Sequence, residues 1–230
     1  MDVPPHPSGL DERVVAKVFA RRGRLHAYES LNPAGTALVV VDLMRATVEL
    51  DPGCEGLVPG INRMAEALRQ AGGRVAWVTA APSGSVSRNM TELAGADRAK
   101  LFHDMAQADD PRADLWPGLD ARDTDIHVLK RGASAFFPGK CDLHERLREH
   151  DIDTLLIAGT VTNVCCESSA RDAVELGYRV TMVSNAMRGY AFGLHEASLT
   201  AFYRIFGDVR PTSEILTLIA EGSAPAISGL

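Results

Sequence analysis

TLLIAGTVTNVCCESSARDA, residues 154–173, begins as an unbroken apolar run and ends with small and apolar residues at helical spacing. The run stops at Gly159, and Cys165 follows shortly after. An apolar run without alternation marks a strand buried on both faces, and a helix after it makes a β–α unit of a parallel sheet. The expected helix spans Val164 to Leu176, with Thr162 and Asn163 as N-cap residues and Glu167 in its early part. Such a turn would put Cys165 beside free backbone N–H groups, whose partial positive charge favours thiolate over thiol and can hold a developing oxyanion. That position suits a nucleophile. Taken without its context, a free cysteine is equally a small buried hydrophobe, and that reading is preferred for the adjacent Cys166.

The rest of the chain repeats the pattern. Thr36 to Asp42 (TALVVVD), Arg74 to Ala80 (RVAWVTA), Ile126 to Lys130 (IHVLK) and Tyr178 to Val183 (YRVTMV) read as further strands. Helices are expected at Leu57 to Ala71, Leu143 to His150, Leu194 to Phe206 and Ser213 to Glu221. Apolar strands alternating with helices specify an α/β fold, a three-layer α/β/α sandwich around a mainly parallel, Rossmann-like sheet of about six strands. Residues 1–35 form an N-terminal extension with a short helix from Asp11 to Arg21 and a suggested role in subunit contact, and 36–230 a single domain. Ser83 to Asp125 lacks clear alternation and holds Pro111 and Pro117, so a lid-like excursion is expected there.

At 230 residues with 46% hydrophobic content the chain can bury one full core, and no composition break suggests a second. A net charge of −6, with no basic run interleaved with aromatics, argues against a nucleic-acid partner. The sequence has neither an apolar stretch of membrane-spanning length nor a signal-peptide core, which points to a soluble, cytoplasmic protein without a membrane partner. Cys54, Cys141, Cys165 and Cys166 show neither C-x-x-C nor zinc spacing, so no metal and no cofactor is expected.

In parallel sheets ligands bind beyond the carboxyl ends of the strands. Three groups fall there: Asp42 after VVV, Lys130 after HVL, and Cys165 after LLIAG. A carboxylate at that edge can take a thiol proton and hand it to a leaving amine, while an ammonium holds the carboxylate ionised and lowers the thiol pKa. The bland alternatives are a loop-capping aspartate and a solvated strand-end lysine like its neighbour Arg131.

The combination of VVVD (39–42), Lys130 followed by SAF (134–136), and GTVTNVCCESSARDA (159–173) resembles the isochorismatase-like cysteine hydrolase superfamily, which includes nicotinamidases, N-carbamoylsarcosine amidohydrolases and ureidoacrylate amidohydrolases. The likeness runs from about Thr36 to the C-terminus, and G-x-x-T-N-x-C followed by E-S-x-A-R-D-A is its most specific part. It implies Cys165 as nucleophile, Asp42 as general acid/base and Lys130 as third member of a triad. It also implies a cis peptide between Thr160 and Val161, an oxyanion hole from the backbone N–H groups of Val161 and Cys165, and a dimer or tetramer. The activity implied is hydrolysis of a C–N bond in a small amide, carbamoyl or ureido substrate through a thioester. An isochorismatase-type vinyl-ether hydrolase, which needs no thiol, and a non-catalytic binding module are the alternatives.

This chain departs from the resemblance in two places. TAAPSGSVSRNM (79–90) carries no histidine where nicotinamidase-like members place metal ligands, and Leu43-Met44-Arg45-Ala46-Thr47 replaces the usual polar and aromatic stretch after the catalytic aspartate. Arg45 is therefore a candidate for binding a substrate carboxylate, and Phe136, Phe137, Tyr190, Phe192 and His195 are candidates for the pocket. Arg171 and Asp172 read as a structural ion pair or cap.

Overall fold

The computed structural model describes residues 6–223, so the first five residues of the extension and the last seven of the 36–230 span lie outside the described residues. Strands β1 (Thr36–Val41), β2 (Arg74–Ala80), β3 (Ile126–Lys130), β4 (Thr154–Thr160), β5 (Arg179–Arg188) and β6 (Asp208–Arg210) form one sheet in the order β3-β2-β1-β4-β5-β6. Every pair is parallel. The central strands β1 and β4 are buried along their whole length, which is why they lack alternation, whereas the edge strand β3 alternates buried and exposed.

Helices cover both faces. Val39 and Val41 pack with α1 (Glu12–Arg22), α6 (Leu143–Arg148), α7 (Glu167–Glu175) and α8 (Phe192–Ile205). Leu38 and Val40 face the opposite way, toward α3 (Val58–Gln70) and α9 (Thr212–Ser223). The two-residue period of the strands thus feeds two separate cores, and each fully buried leucine or isoleucine contributes about 1.5–3 kcal/mol. On α3 the buried residues Ile61, Met64, Ala65 and Leu68 recur at i, i+3, i+4 and i+7, one face of a helix. No helix is long and apolar enough to cross a membrane, among the described residues.

Several expected boundaries shift. The helix expected from Val164 starts earlier, as a π-turn over Thr162–Cys166 that runs into α7, and its N-cap is Val161 with no side-chain bond, not Thr162 or Asn163. Strand β5 continues past Val183 to Arg188. Strand β6, Asp-Val-Arg, is too short and too charged to read as a buried strand from sequence. Asp208 is nonetheless fully buried because the Ala27 and Tyr28 N–H groups and the His26 imidazole bond it, and Arg210 donates to the Tyr28 carbonyl. Residues 26–28 thereby tie the N-terminal extension to the sheet edge. Helix α1 is capped by the Asp11 carboxylate and by left-handed Gly23. It packs Val15 and Val18 into the same chain's core, with Arg22 over the ring of Tyr203.

The 83–125 excursion carries α4 (Arg88–Ala94) and α5 (Ala96–Asp104), the expected lid between β2 and β3. Helix α2 (Arg45–Leu50) directly follows the Asp42 turn, completing the frame around the carboxyl ends of the strands.

Candidate active site

The chain runs β1, β2, β3 toward one edge and then crosses to β4 on the other side of β1, so a crevice opens between the ends of β1 and β4. Asp42 stands there in the left-handed region, at φ 49°. Its N–H donates to the Val78 carbonyl at 2.8 Å, and its carbonyl accepts the hydroxyls of Thr47 at 2.7 Å and Thr160 at 2.8 Å. Three bonds from three segments hold an aspartate in a conformation non-glycine residues seldom adopt. Gly159 makes this possible from the neighbouring strand: at φ 107° it lies so close to the Val41 backbone that a Cβ would overlap it, and the β4–β5 register shifts at the same point.

Lys130 reaches the crevice from β3, across the end of β2, where the small Ala80 leaves room. Its side chain is almost fully buried, and Nζ has three acceptors: Asp42 Oδ2 at 2.9 Å, the Gly132 carbonyl at 2.9 Å and Cys165 Sγ at 3.5 Å. All three ammonium donors are spent. The Asp42 Oδ1 atom is buried without a partner, leaving a carboxylate lone pair free to accept a proton. The loop after Lys130 is tied to α7, the helix that follows Cys165, the Ala135 N–H donating to Ser169 Oγ at 3.0 Å.

Cys165 is half-buried within the π-turn, where the Cys166 N–H bonds the Val161 carbonyl at 3.2 Å, and the Thr160–Val161 peptide is cis. Local widenings of this kind in helices gather at functional positions. The thiol does not have the low pKa that a helix start and a nearby lysine would suggest. Burial pushes it up, the Asp42 carboxylate adds to this, and Lys130 only partly opposes both. Burial acts against the Lys130 charge too, but Asp42 and Cys165 outweigh it and hold the ammonium above the ordinary lysine range. Cys166 is fully buried, with its S–H toward the Ala158 carbonyl at 3.8 Å. All four cysteines are free.

A cavity of about 370 Å³ opens onto Asp42, Thr160, Val161 and Cys165. Met44, Ala46, Thr47 and Leu50 form one wall, and Met90, Arg98, Phe102, Met105 and Ala106 of the lid form another. Of the sequence-derived pocket residues only Tyr190 lines it. Phe136 is 3% exposed in the core against Tyr178. Phe137 is exposed away from the cavity, and Phe192 and His195 line a neighbouring cleft with Asn185 and Arg188. The His195 Nδ1 pairs with the Thr162 hydroxyl at 2.8 Å, and burial lowers its pKa. Arg45, at the start of α2, is outside the cavity lining, and its place as the wall's cation is taken by Arg98. Arg171 pairs with Glu167 and stacks on Phe206, not with Asp172. Arg98, Phe102, Met105 and Ala106 recur at i, i+4, i+7 and i+8, a one-face helical spacing that was available in the sequence.

Among the described residues, one group has the compactness of a metal site, His6, His26 and Asp208, on β6 and the N-terminal segment, away from Asp42, Lys130 and Cys165. It fits a metal poorly. His6 Nδ1 accepts the Ser8 N–H, which leaves the proton on Nε2, and the Arg210 guanidinium is 3.4 Å from Asp208.

An isochorismatase-domain family model matches residues 36–214, more than three-quarters of the chain. The chain belongs to the isochorismatase family. An uncharacterized isochorismatase family protein of Bacillus subtilis is 31% identical over 192 residues, covering 79% of this chain and 92% of that protein. The ureidoacrylate amidohydrolase RutB of Agrobacterium fabrum is 30% identical over 225 residues, covering 84% and 94%. The crystal structure of a cysteine hydrolase from Pseudomonas syringae pv. phaseolicola superimposes with a TM-score of 0.76 at 28% identity, covering 86% of this chain and 99% of that one. This protein is an isochorismatase-family hydrolase with the six-stranded parallel α/β fold of that family.

Proposed function

We propose that this isochorismatase-family protein is a cysteine amidohydrolase that cleaves a C–N bond in a small amide, carbamoyl or ureido substrate. The observation that carries the reading is the Lys130 ammonium, bonded at once to Asp42 Oδ2 and to Cys165 Sγ on the floor of the cavity. The named amidohydrolase relative supports it.

In this mechanism Asp42 Oδ1 takes the thiol proton as Sγ attacks the carbonyl carbon, so that charge moves from the carboxylate to the substrate oxygen. The N–H groups of Val161 and Cys165 receive the oxyanion. Collapse breaks the C–N bond, and the nitrogen leaves with the proton held by Asp42. A water then gives a proton to Asp42 while its oxygen attacks the thioester. The expelled sulfur recovers that proton, and acid plus amine or ammonia are released. Lys130 stays protonated throughout and fixes the carboxylate. The role of Cys166 is packing.

A thiol at the cavity floor has no task in vinyl-ether hydrolysis, which places the isochorismatase-type activity second. Ammonia release across a panel of small amides, carbamoyl and ureido compounds tests the reading, with pyruvate release from isochorismate run alongside. Ammonia release lost in Cys165→Ala and kept in Cys166→Ala is the expected result. Pyruvate release insensitive to Cys165→Ala would overturn it.

A further inference from the structure

We infer that the substrate joins its amide or carbamoyl group to an apolar body and a carboxylate, the body filling the lid side of the cavity and the carboxylate meeting Arg98. The inference rests on the amidohydrolase reading for its scissile group and on the lid for the rest.

The lid surface facing the cavity is built from Met90, Phe102, Met105 and Ala106, and the opposite wall from Met44 and Leu50. The polar atoms on the lining are few and mostly engaged. The hydroxyls of Thr47 and Thr160 are both donated to the Asp42 carbonyl, and Asp42 itself is held by Lys130. Beyond the groups that receive the scissile carbonyl and nitrogen, a substrate body made of amide, amine and hydroxyl groups would lose its water there and find few hydrogen-bond partners in return. An aliphatic or aromatic body gains from the same burial.

Arg98 is the one charged side chain the lid adds to this lining. Its guanidinium lies over the Phe102 ring, 5.2 Å from the centroid, and it has no carboxylate partner among the described residues. The contact with the ring places this exposed guanidinium at the cavity wall with its N–H fork free, and such a fork receives a carboxylate through two parallel bonds. The positive charge is felt across the cavity, where it opposes the burial-driven rise of the Tyr190 hydroxyl. The neighbouring cations of the lid are otherwise committed: Arg88 pairs with Glu92 and Lys100 with Asp104.

Calorimetric binding to the Cys165→Ala protein separates this inference from the chemistry. The probes are N-carbamoyl-phenylalanine, its methyl ester, N-carbamoylglycine and the monoamide of adipic acid, each titrated into Cys165→Ala and into Cys165→Ala/Arg98→Gln. Tighter binding of N-carbamoyl-phenylalanine or the adipic monoamide than of N-carbamoylglycine is expected. Replacing Arg98 should weaken the acid by about ten- to hundredfold, the worth of a hydrogen bond to a charged group, and leave the ester unchanged. Which of the two acids binds better decides whether the carboxylate lies beside the scissile group or at the far end of the body. Equal binding of acid and ester, equal loss of both in the Arg98→Gln background, or preference for N-carbamoylglycine would overturn the inference. Arg98-dependent binding together with no ammonia release by the wild-type protein would instead overturn the amidohydrolase reading and leave the binding class standing.

Discussion

Replacing Lys130 by methionine should remove more stability than any single surface ion pair could supply. At the observed Nζ to Oδ2 separation of 2.9 Å, a pair of unit charges at an effective dielectric constant of about 20 interacts by about 6 kcal/mol. Desolvation offsets part of this, and removing one partner of a buried pair typically costs about 3–5 kcal/mol because the other charge is stranded. Asp42 would be that stranded charge, since its Oδ1 already lacks a partner. Urea denaturation should show a lower midpoint with unchanged slope for Lys130→Met, and the double variant Asp42→Asn/Lys130→Met should recover most of the loss. The Lys130 ammonium has its pKa raised by folding, so this stabilisation is fully present below the unfolded lysine value of about 10.4 and fades only above it. The coupling energy measured at pH 7 and at pH 9 should agree. A double variant no more stable than Lys130→Met, or a coupling that changes between those two pH values, would refute the reasoning.

Because burial and then Asp42 raise the Cys165 thiol, its alkylation by iodoacetamide should accelerate about tenfold per pH unit from pH 7 to 9, and Asp42→Asn should alkylate faster at pH 7.5 while losing turnover. A wild-type rate flat over that range would contradict the raised thiol, with peptide mapping separating Cys165 from Cys141. Thr47→Val removes one of the two hydroxyls on the Asp42 carbonyl, and kcat should fall about three- to tenfold with KM within about twofold. Gly159→Ala drives a Cβ into the Val41 backbone at a left-handed φ and should cost about 3 kcal/mol or more, read as a lowered thermal midpoint. Burial lowers His6 from 6.5 to about 4, with His26, Arg22 and Arg210 opposing its charge. Its contribution is present above the unfolded value and lost as pH falls toward 4, so His6→Phe should flatten the stability loss between pH 6.5 and 4 by about 2 kcal/mol.

Of the five strands read from sequence, those inside the sheet were legible because burial on both faces of a parallel sheet writes itself as continuous apolar runs, whereas β3 alternates at the sheet's edge, and the groups at the strand ends followed from topology. Asp42, Lys130 and Cys165 come together for that reason. What stayed hidden depends on distant partners. Strand β6 hides behind two charges whose bonds come from residues 26–28. The direction of the Cys165 shift is set by enclosure and by a carboxylate far away in sequence, neither of which a helix start reveals. Arg45 looked suitable because it follows Asp42 closely, but helix geometry carries it out of the lining, while Arg98 gained its place through a lid whose fold over the crevice no local pattern states.

The division of labour between sheet edge and lid also bears on how such a protein can change. Asp42, Lys130 and Cys165 are fixed by strand ends and by bonds among Asp42, Thr47 and Thr160, whereas one continuous segment between β2 and β3 supplies Met90, Arg98, Phe102, Met105 and Ala106. On the proposed amidohydrolase reading, reactivity and selectivity are written in different parts of the gene. Exchanging residues 83–125 for the corresponding loop of a relative would retarget the catalyst in a single inheritance event, and drift within that segment is free to explore new ligands while the machinery beneath it stands still.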